Sequence, residues 1–577
     1  MRKQNNYKKY KVIFTFLLLG QNAHSFANET SDFMSDSGAP ISQTDKKSGL
    51  NEIATPVVNQ EVYTQVAEKE DSLSEKTNDK DTNYFDILEF QVEGNTKLSN
   101  VQIEAAVYPQ MGEKKTIADV EKAREALEKA YHLAGYLTVL VDIPEQDVDK
   151  KTVKLNVTEG KVGHLRVKDA HYFTLGRIKE LAPSVQEGEV PHFPTVQADI
   201  ARLNRTTDKR VTPVMKAGKV FGTVDVDLKV EDSLPVHASL ELNDKYSQDT
   251  TRLRLSGMVR YDNLWQREHS LSLNFLTSPE NTGEVQVLSA NYLMRFDKSD
   301  MMLALYGVKS KSSVNSSAVV GGLNILGNGT ILGVRLIKPL PSLDNYYHSI
   351  SFGLDYKDFG QTIIYGSSFN TPVTYMPLSA AYSGTWQNGL SSTQLTTGIT
   401  FGMRGLVADE AEFASKRVGA KPNFFVAKAE LDRTQALPMG FQGFAKIDGQ
   451  FSGDPLISNE QFLAGGADSV RGYLEAQAAG DQALHTTLEI RTPVLLNSVT
   501  WLQDLKLSAF YDAAQIRTIN PLAGQAEKSL LSGAGVGLRM KAWKRFNVSL
   551  DLALPLKDYS ITKKGDLASH MRVWYEF

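Results

Sequence analysis

Apolar side chains recur with two different periods along this chain, and the change from one to the other falls near Pro235. Before it, short alternating runs are interleaved with runs in which apolar residues return every three or four positions. The stretch "FDILEFQVEG" reads as a strand, and Leu98 to Val107 as a short helix. Thr116 opens a longer helix, with Asp119 three residues on as its capping-box partner. Ile117, Val120, Leu127, Tyr131 and Ala134 follow at helical spacing, and Gly135 ends the run. Leu137, Val139, Val141 and Ile143 then alternate with period two. After the charged turn "EQDVDKK", Val153, Leu155 and Val157 do the same. The order is strand, helix, helix, strand, strand.

That order repeats. Leu165 and Val167 start a strand, a short helix runs from about Leu175 to Leu181, and Val196, Ile200 and Leu203 mark a second helix. Val211 to Lys216, then Val224, Val226, Leu228 and Val230, give two strands. Two successive βααββ units are expected, each burying its helices on one face of a small sheet.

After Pro235 the helical period nearly vanishes. Phe546, Val548, Leu550, Leu552 and Leu554 alternate with Asn547, Ser549 and Asp551. Ala534, Val536, Leu538 and Met540 alternate with Gly533, Gly535, Gly537 and Arg539. Transmembrane barrel strands have this pattern, apolar toward lipid and polar or small toward the lumen. A soluble β-sandwich alternates in the same way. The length of the region, its aromatics near strand ends and its close on Tyr575 and Phe577, both on the apolar face, favour the barrel. Spacing alone accommodates 14 or 16 strands.

The N-terminus adds a compartment. Arg2, Lys3, Lys8, Lys9 and Lys11 precede the apolar run "VIFTFLLLG" and then "QNAHSFA", which predicts a secretory signal peptide cleaved after Ala27. Nine apolar residues are too few for a membrane-spanning helix, and no later run reaches 18. Any crossing of a membrane is therefore by a closed barrel. Residues 28–85 are polar and charge-rich. Within them, Asn59 to Lys76 reads either as a tether or as a weakly amphipathic helix carrying Val62, Val66 and Leu73 on one face. There is no cysteine, which removes disulfides, thiolate metal sites and cysteine nucleophiles together. A net charge of −4 gives no pull toward nucleic acid, and residues 161–232 hold twelve Lys/Arg against ten Asp/Glu, so no basic docking patch is expected there.

One loop stands apart. "EQFLAGGADSVRGY", Glu460 to Tyr473, places three glycines, an arginine and an aromatic between two strand-like runs. In "LKLSAFYDAA", Leu505, Leu507, Ala509 and Tyr511 suit lipid, so Asp512 points into the lumen with Lys506, Ser508 and Phe510. In "ALHTTLEIRTP", Leu484, Thr486, Leu488 and Ile490 point out, so His485, Thr487, Glu489 and Arg491 point in. Asp512 and Glu489 thus face one interior from adjacent strands. If the loop folds inward on Gly465 and Gly466, Arg471 makes a bidentate contact with Asp512. The alternative is a solvent-exposed loop with an unpaired arginine, which energetics alone do not reject.

"SNEQFLAGGADSVRGYLEAQAAGD" resembles the signature of the two-partner secretion outer-membrane transporters (the TpsB family), of haemolysin-activator type. Its most specific element is the tetrad Val470, Arg471, Gly472 and Tyr473. "EIRTP" and "FYDAA" resemble the two strand motifs that follow, with Ala514 where that pattern usually has glycine. "VEGNTKL", "YHLAGY" and "VTEGKVGHLRV" are similar to landmarks of POTRA domains. The resemblance implies α+β periplasmic POTRA domains at 86–160 and 161–234, then a transmembrane antiparallel β-barrel of 16 strands at 235–577 with loop 460–480 folded into it. A plug helix and linker would occupy 28–85. It implies an outer-membrane pore that recognises an unfolded exoprotein through its POTRA domains and exports it without ATP. The partners implied are a large adhesin, haemolysin or contact-dependent growth-inhibition toxin, outer-membrane lipid and the barrel-assembly machinery.

Three other readings compete. An insertase of the same superfamily would carry a longer POTRA array. A passive porin leaves the two α/β units unexplained. A secreted enzyme lacks a site: the ten histidines are scattered, with no HExxH or GxSxG in a suitable setting, and His485 reads as a lumen-facing polar residue. No catalytic residue, metal or cofactor is expected.

Overall fold

The structure, a computed structural model, describes residues 84–577 apart from 148–150, 298, 313–316, 321, 322, 327, 361, 366 and 497. The signal-peptide and plug-helix expectations, with Val62, Val66 and Leu73, lie outside the described residues. The described chain forms one α/β unit ending at Pro235 and one all-β unit from Val236 to Phe577.

In the first half of the α/β unit the run from Phe85 is two strands, not one. β1 (Phe85–Ile87) pairs with β3 (Gly112–Lys115), while β2 (Glu89–Glu93) pairs in parallel with β5 (Thr152–Glu159). The chain changes partner at Leu88, whose N–H donates to the Lys151 carbonyl at 2.8 Å. β4 (Val139–Asp142) takes the other side of β5, and helices α1 (Asn100–Val107) and α2 (Ile117–Leu133) complete the layer. Thr116 caps α2 as expected: its N–H and Oγ both donate to Asp119 Oδ2 at 3.0 Å. Val120, Leu127 and Tyr131 of α2 and Val153, Leu155 and Val157 of β5 fill the core. Ile117 does not join them. It is 67% exposed, because the first helical position faces away from the sheet while Val120, one turn on, faces it.

The second half repeats the arrangement. β6 (Lys161–Lys168), α3 (Leu175–Glu180), α4 (Phe193–Leu203), β7 (Lys209–Ala217) and β8 (Thr223–Asp232) give the sheet order β6-β8-β7, against β2-β5-β4 in the first. The two halves are joined directly: Phe193 N–H donates to the Gly135 carbonyl at 2.9 Å, and the His192 and Tyr136 rings lie 5.1 Å apart. Asp232 closes β8 by accepting from the backbone N–H groups of His171, Tyr172 and Phe173. Burial raises its carboxyl, but these three donors together with the His171 side chain outweigh burial and hold it below the usual carboxylate range.

From Val236 the described strands, apart from three short two-stranded ribbons, close into one antiparallel barrel, which rules out a two-sheet sandwich. The first strand, Val236–Asn243, pairs with the last, Ala568–Glu576, from Asn243↔Arg572 to Ser239↔Glu576. Two short runs, Val373–Tyr375 and Leu378–Asn388, lie end to end against the same neighbour, Tyr346–Gly360, so they are one strand interrupted at Met376 and Pro377. Counted so, the described residues form a barrel of 16 strands. An even number brings the first and last residues to one end of the barrel. The long connections 402–424 and 453–481 follow the ninth and eleventh strands and lie at the other end. Leu484, Leu488, Ile490, Leu507, Tyr511 and Val536 are exposed on the outer face; His485, Glu489, Ser508 and Asp512 are buried on the inner one. Tyr575 and Phe577 are also exposed, with rings 4.8 Å apart, and Phe577 N–H donates to the Ala238 carbonyl across the closing seam.

Candidate functional site: a loop clamped inside the barrel

The connection from Gln442–Ser452 to Gln482–Arg491 does not stay at the barrel mouth. Two three-residue strands, Phe462–Ala464 and Ala478–Gly480, pair into a ribbon, and its tip carries the tetrad. Gly465 and Gly466 have φ of +106° and +102° and start the tip. Behind it, Val470, Tyr473, Ala478, Ala514, Ile516 and Leu531 bury one another. The methyl group of Ala514 therefore packs under the tip.

The arginine reaches the wall. Arg471 Nε donates to Asp512 Oδ2 at 2.7 Å, and Nη2 to Asp512 Oδ1 at 3.0 Å. Its backbone N–H adds a third donor to Asp512 at 3.2 Å. Nη1 turns to Glu489 Oε2 at 3.1 Å and lies 3.9 Å from Asp551. The guanidinium carbon sits 3.3 Å from the centre of the Phe510 ring. The carboxylates are themselves shared: Arg491 donates to Glu489 at 2.9 Å, and Arg539 grips Asp551 at 2.8 and 3.0 Å. Three guanidinium groups thus balance three carboxylates. Arg471 is 5% exposed and Asp512 fully buried, so removing one partner leaves an uncompensated charge, at a cost of about 3–5 kcal/mol.

The neighbouring residues of the tetrad serve the same seating. Gly472 has φ +102°, and a side chain there would press on the backbone at Pro555. The Tyr473 hydroxyl lies within hydrogen-bond reach of the Ser532 and Lys557 carbonyls, at 3.1 and 2.8 Å. The inward glycines of "GAGVG" make the room. A Cβ on Gly533 would stand 2.0 Å from the Arg471 carbonyl, and one on Gly535 would meet the Phe510 ring at 2.6 Å. Val470, Arg471, Gly472, Tyr473, Glu489 and Asp512 therefore meet in one place.

Sequence reasoning missed two further anchors of this loop. Asp481, fully buried, accepts from both Nη atoms of Arg417, from Leu456 and Ile519 N–H at 3.0 and 2.7 Å, and from Gln461 Nε2 at 3.1 Å. It ties loop 402–424 to loop 453–481. Glu460 accepts from Lys357 Nζ and the Tyr375 hydroxyl, both at 2.6 Å. Over Tyr375 sits Phe413, from the helix Glu410–Lys416, with Phe359, Phe424 and Ile457 around it. An apolar lid packed on inward-facing wall residues thus occupies the far end. The signal for it was faint: short apolar runs within a long connection, far in sequence from their partners.

Residues 222–540 match the family described as haemolysin secretion/activation protein ShlB/FhaC/HecB, and residues 85–160 match the ShlB-type POTRA domain. The heme/hemopexin transporter protein HuxB of Haemophilus influenzae is 21% identical over 471 residues, covering 77% of this chain and 79% of that protein. The outer membrane transporter CdiB of Dickeya dadantii is 21% identical over 412 residues, covering 64% and 66%. Among solved structures, CdiB from Escherichia coli overlays with a TM-score of 0.60 at 17% identity, over 92% of this chain and all of that one. BamA from Haemophilus ducreyi lacking POTRA domains 1–3 overlays with a TM-score of 0.53 at 15% identity, over 85% and 100%.

Proposed function

Because this chain belongs to the ShlB/FhaC/HecB family of haemolysin secretion/activation proteins, an outer-membrane family of exporters, we propose that it moves one large unfolded exoprotein through its barrel to the cell surface without ATP. The observation that carries the reading is Arg471 clamped on Asp512 and Glu489 inside the barrel, with the apolar lid beyond it. This is the resting, closed pore. The clamp and lid hold it shut, and export requires them to yield. The polar inner wall then solvates the moving chain, and folding outside biases its direction. No step is chemical, and the protein is not an enzyme. The cargo is a large adhesin, haemolysin or contact-dependent inhibition toxin. Residues 1–27 act as signal peptide, 28–85 as plug and linker, and 86–160 and 161–234 as the two receiving domains. The barrel-assembly machinery inserts 235–577 into lipid.

An extended cargo segment can dock by adding a strand to a sheet edge, and the edges differ. On β4, Arg124 Nη1 donates to the Val141 carbonyl at 3.3 Å, Glu128 accepts from Val141 N–H at 3.4 Å, and His132 contacts the Val139 carbonyl. On β7, Asn204 takes both peptide groups of Val211, and Pro213 has no N–H. On β6, Val162 bonds to Gly188 and Glu189. Among the described residues, no hydrogen bond from another element reaches the outer edge of β2, which supports β2 as the receiving strand. Deleting the gene tests the whole reading: a large surface protein should accumulate in the periplasm. Unchanged secretion of every large surface protein overturns it.

A further inference from the structure

Two histidines on the barrel wall touch the tip of the loop on either side of Arg471, and their hydrogen bonds require opposite charge states. His570, on the last strand, lies with Nε2 3.0 Å from the Gly472 N–H. A backbone N–H only donates, so Nε2 must offer a lone pair, and the ring is neutral. His485, on Gln482–Arg491, has Nδ1 2.6 Å from the Asp448 carboxylate and Nε2 3.1 Å from the Ser469 carbonyl. Both partners accept. The ring satisfies them together only by donating from both nitrogens, as an imidazolium. The Thr487 hydroxyl, 3.4 Å from Nε2, is too long a contact to change this.

Charged groups crowd both rings, and around His570 it is the Gly472 N–H and burial, not the nearby carboxylates, that favour the neutral form. His570 pairs in register with Asp551 and faces Asp244, Asp468 and Arg471. His485 faces Asp448 on the neighbouring strand, with Lys446 two residues before it on the same inward row. On its other side it pairs in register with Ala514, and Asp512 stands two residues away.

We propose that His485 and His570 are positioning residues that keep Val470–Tyr473 seated only in the pH window where the first is charged and the second neutral. The signs oppose. As pH falls, a proton on His570 Nε2 would meet the Gly472 N–H head-on, and that contact turns repulsive. As pH rises, His485 loses one of its two donors and releases either Asp448 or the Ser469 carbonyl. Seating therefore passes through a maximum. The consequence for export rests on the closed-pore reading above; the seating itself does not.

The absence of cysteine makes the test direct. Val470, buried under the tip, is replaced by cysteine (Val470→Cys), and labelling by a thiol reagent is followed from pH 4.5 to 9 in the full-length protein in its membrane. Rates are divided by those of Ala526→Cys on an exposed loop, which removes the thiol's own titration. Normalised labelling should be slowest at intermediate pH and rise about tenfold at each end, the scale of losing one buried hydrogen bond. In the Val470→Cys background, His570→Gln supplies a carbonyl acceptor that does not titrate and should abolish the acid rise alone. His485→Arg, a permanent donor, should abolish the alkaline rise alone. A flat wild-type profile, or an acid rise that persists in His570→Gln, overturns the proposal. No cargo is present, so failure of the export reading leaves this result intact, and export assays on Arg471→Ala judge that reading separately.

Discussion

Arg471 meets Asp512 through Nε, Nη2 and its own backbone N–H, a three-point contact between a loop tip and a strand residue 41 positions later. A lysine could supply the charge but not the fork, so the contact is specific to arginine in shape as well as sign.

Arg471→Ala leaves Asp512 and Glu489 buried without their shared cation. The loop should lose about 3–5 kcal/mol of seating. Export should fall much further than the amount of folded, heat-modifiable barrel in the outer membrane, and Arg471→Lys should recover only part of it. Quantifying secreted cargo against inserted barrel checks this; normal export by Arg471→Ala removes the loop from the mechanism.

Gly533→Ala tests the same contact from the wall. Its methyl group would stand 2.0 Å from the Arg471 carbonyl, and backbone cannot yield as a flexible side chain can. The tip should be displaced while the strand pairing Asp512↔Gly533 survives. Single-channel recording should show larger or more frequent openings than wild type.

Asp481→Asn keeps the shape of the outer anchor and removes its charge. Arg417, which forks onto Asp481 and also reaches the Leu456 and Ile519 carbonyls, should then hold loop 402–424 more weakly. A double-mutant cycle with Arg417→Ala should give a coupling of about 1.5–3 kcal/mol in lid protection from protease. Additive effects would separate the two residues.

In the α/β unit, Asp232 binds three backbone N–H groups as a carboxylate, and its folded pKa lies below the ordinary value. Its contribution is therefore present above the unfolded carboxylate pKa of about 3.9 and lost as pH falls through the folded one. Hydrogen exchange at His171, Tyr172 and Phe173 should quicken below about pH 4. In Asp232→Asn it should be fast at neutral pH already, with little further change on acidification.

A photo-crosslinking residue at Gln91 on β2 should capture cargo arrested in export, whereas one at Thr212 on β7 should not. Capture at Thr212 alone would move the receiving edge to β7. Capture by Gln91 of the chain's own residues 28–85 would show that edge to be filled before cargo arrives.

The alternation of single residues was enough to orient the wall. Asp512 and Glu489 could be assigned to the lumen because one apolar face fixes the other by period two, and the structure has them there. The capping box at Thr116 was equally legible, since its partners lie three residues apart. What could not be read were pairings across long separations. Arg417 and Asp481 are 64 residues apart, Gly472 and His570 are 98, and no local period links either pair. Ile117 was misplaced because helical spacing marks a stripe but not where the stripe turns away from its sheet. Leu88 was read through because its neighbours alternate without a break, while the change of partner there is set by β3 and β5.

The wall residues that hold Ser469 to Gly472 come later in the chain than the tip itself, His485, Glu489, Asp512, Asp551 and finally His570, seven residues from the end, whereas Asp468 is held by Lys245 just past the first strand. Arg471 has its hydrogen-bond partners once the strands of Glu489 and Asp512 are laid down, but Gly472 has its acceptor only when the last strand is in place. The tetrad as a whole is therefore seated only against a complete wall: a chain lacking its final strand could still pair Arg471 with Glu489 and Asp512 but would leave the Gly472 N–H without its acceptor.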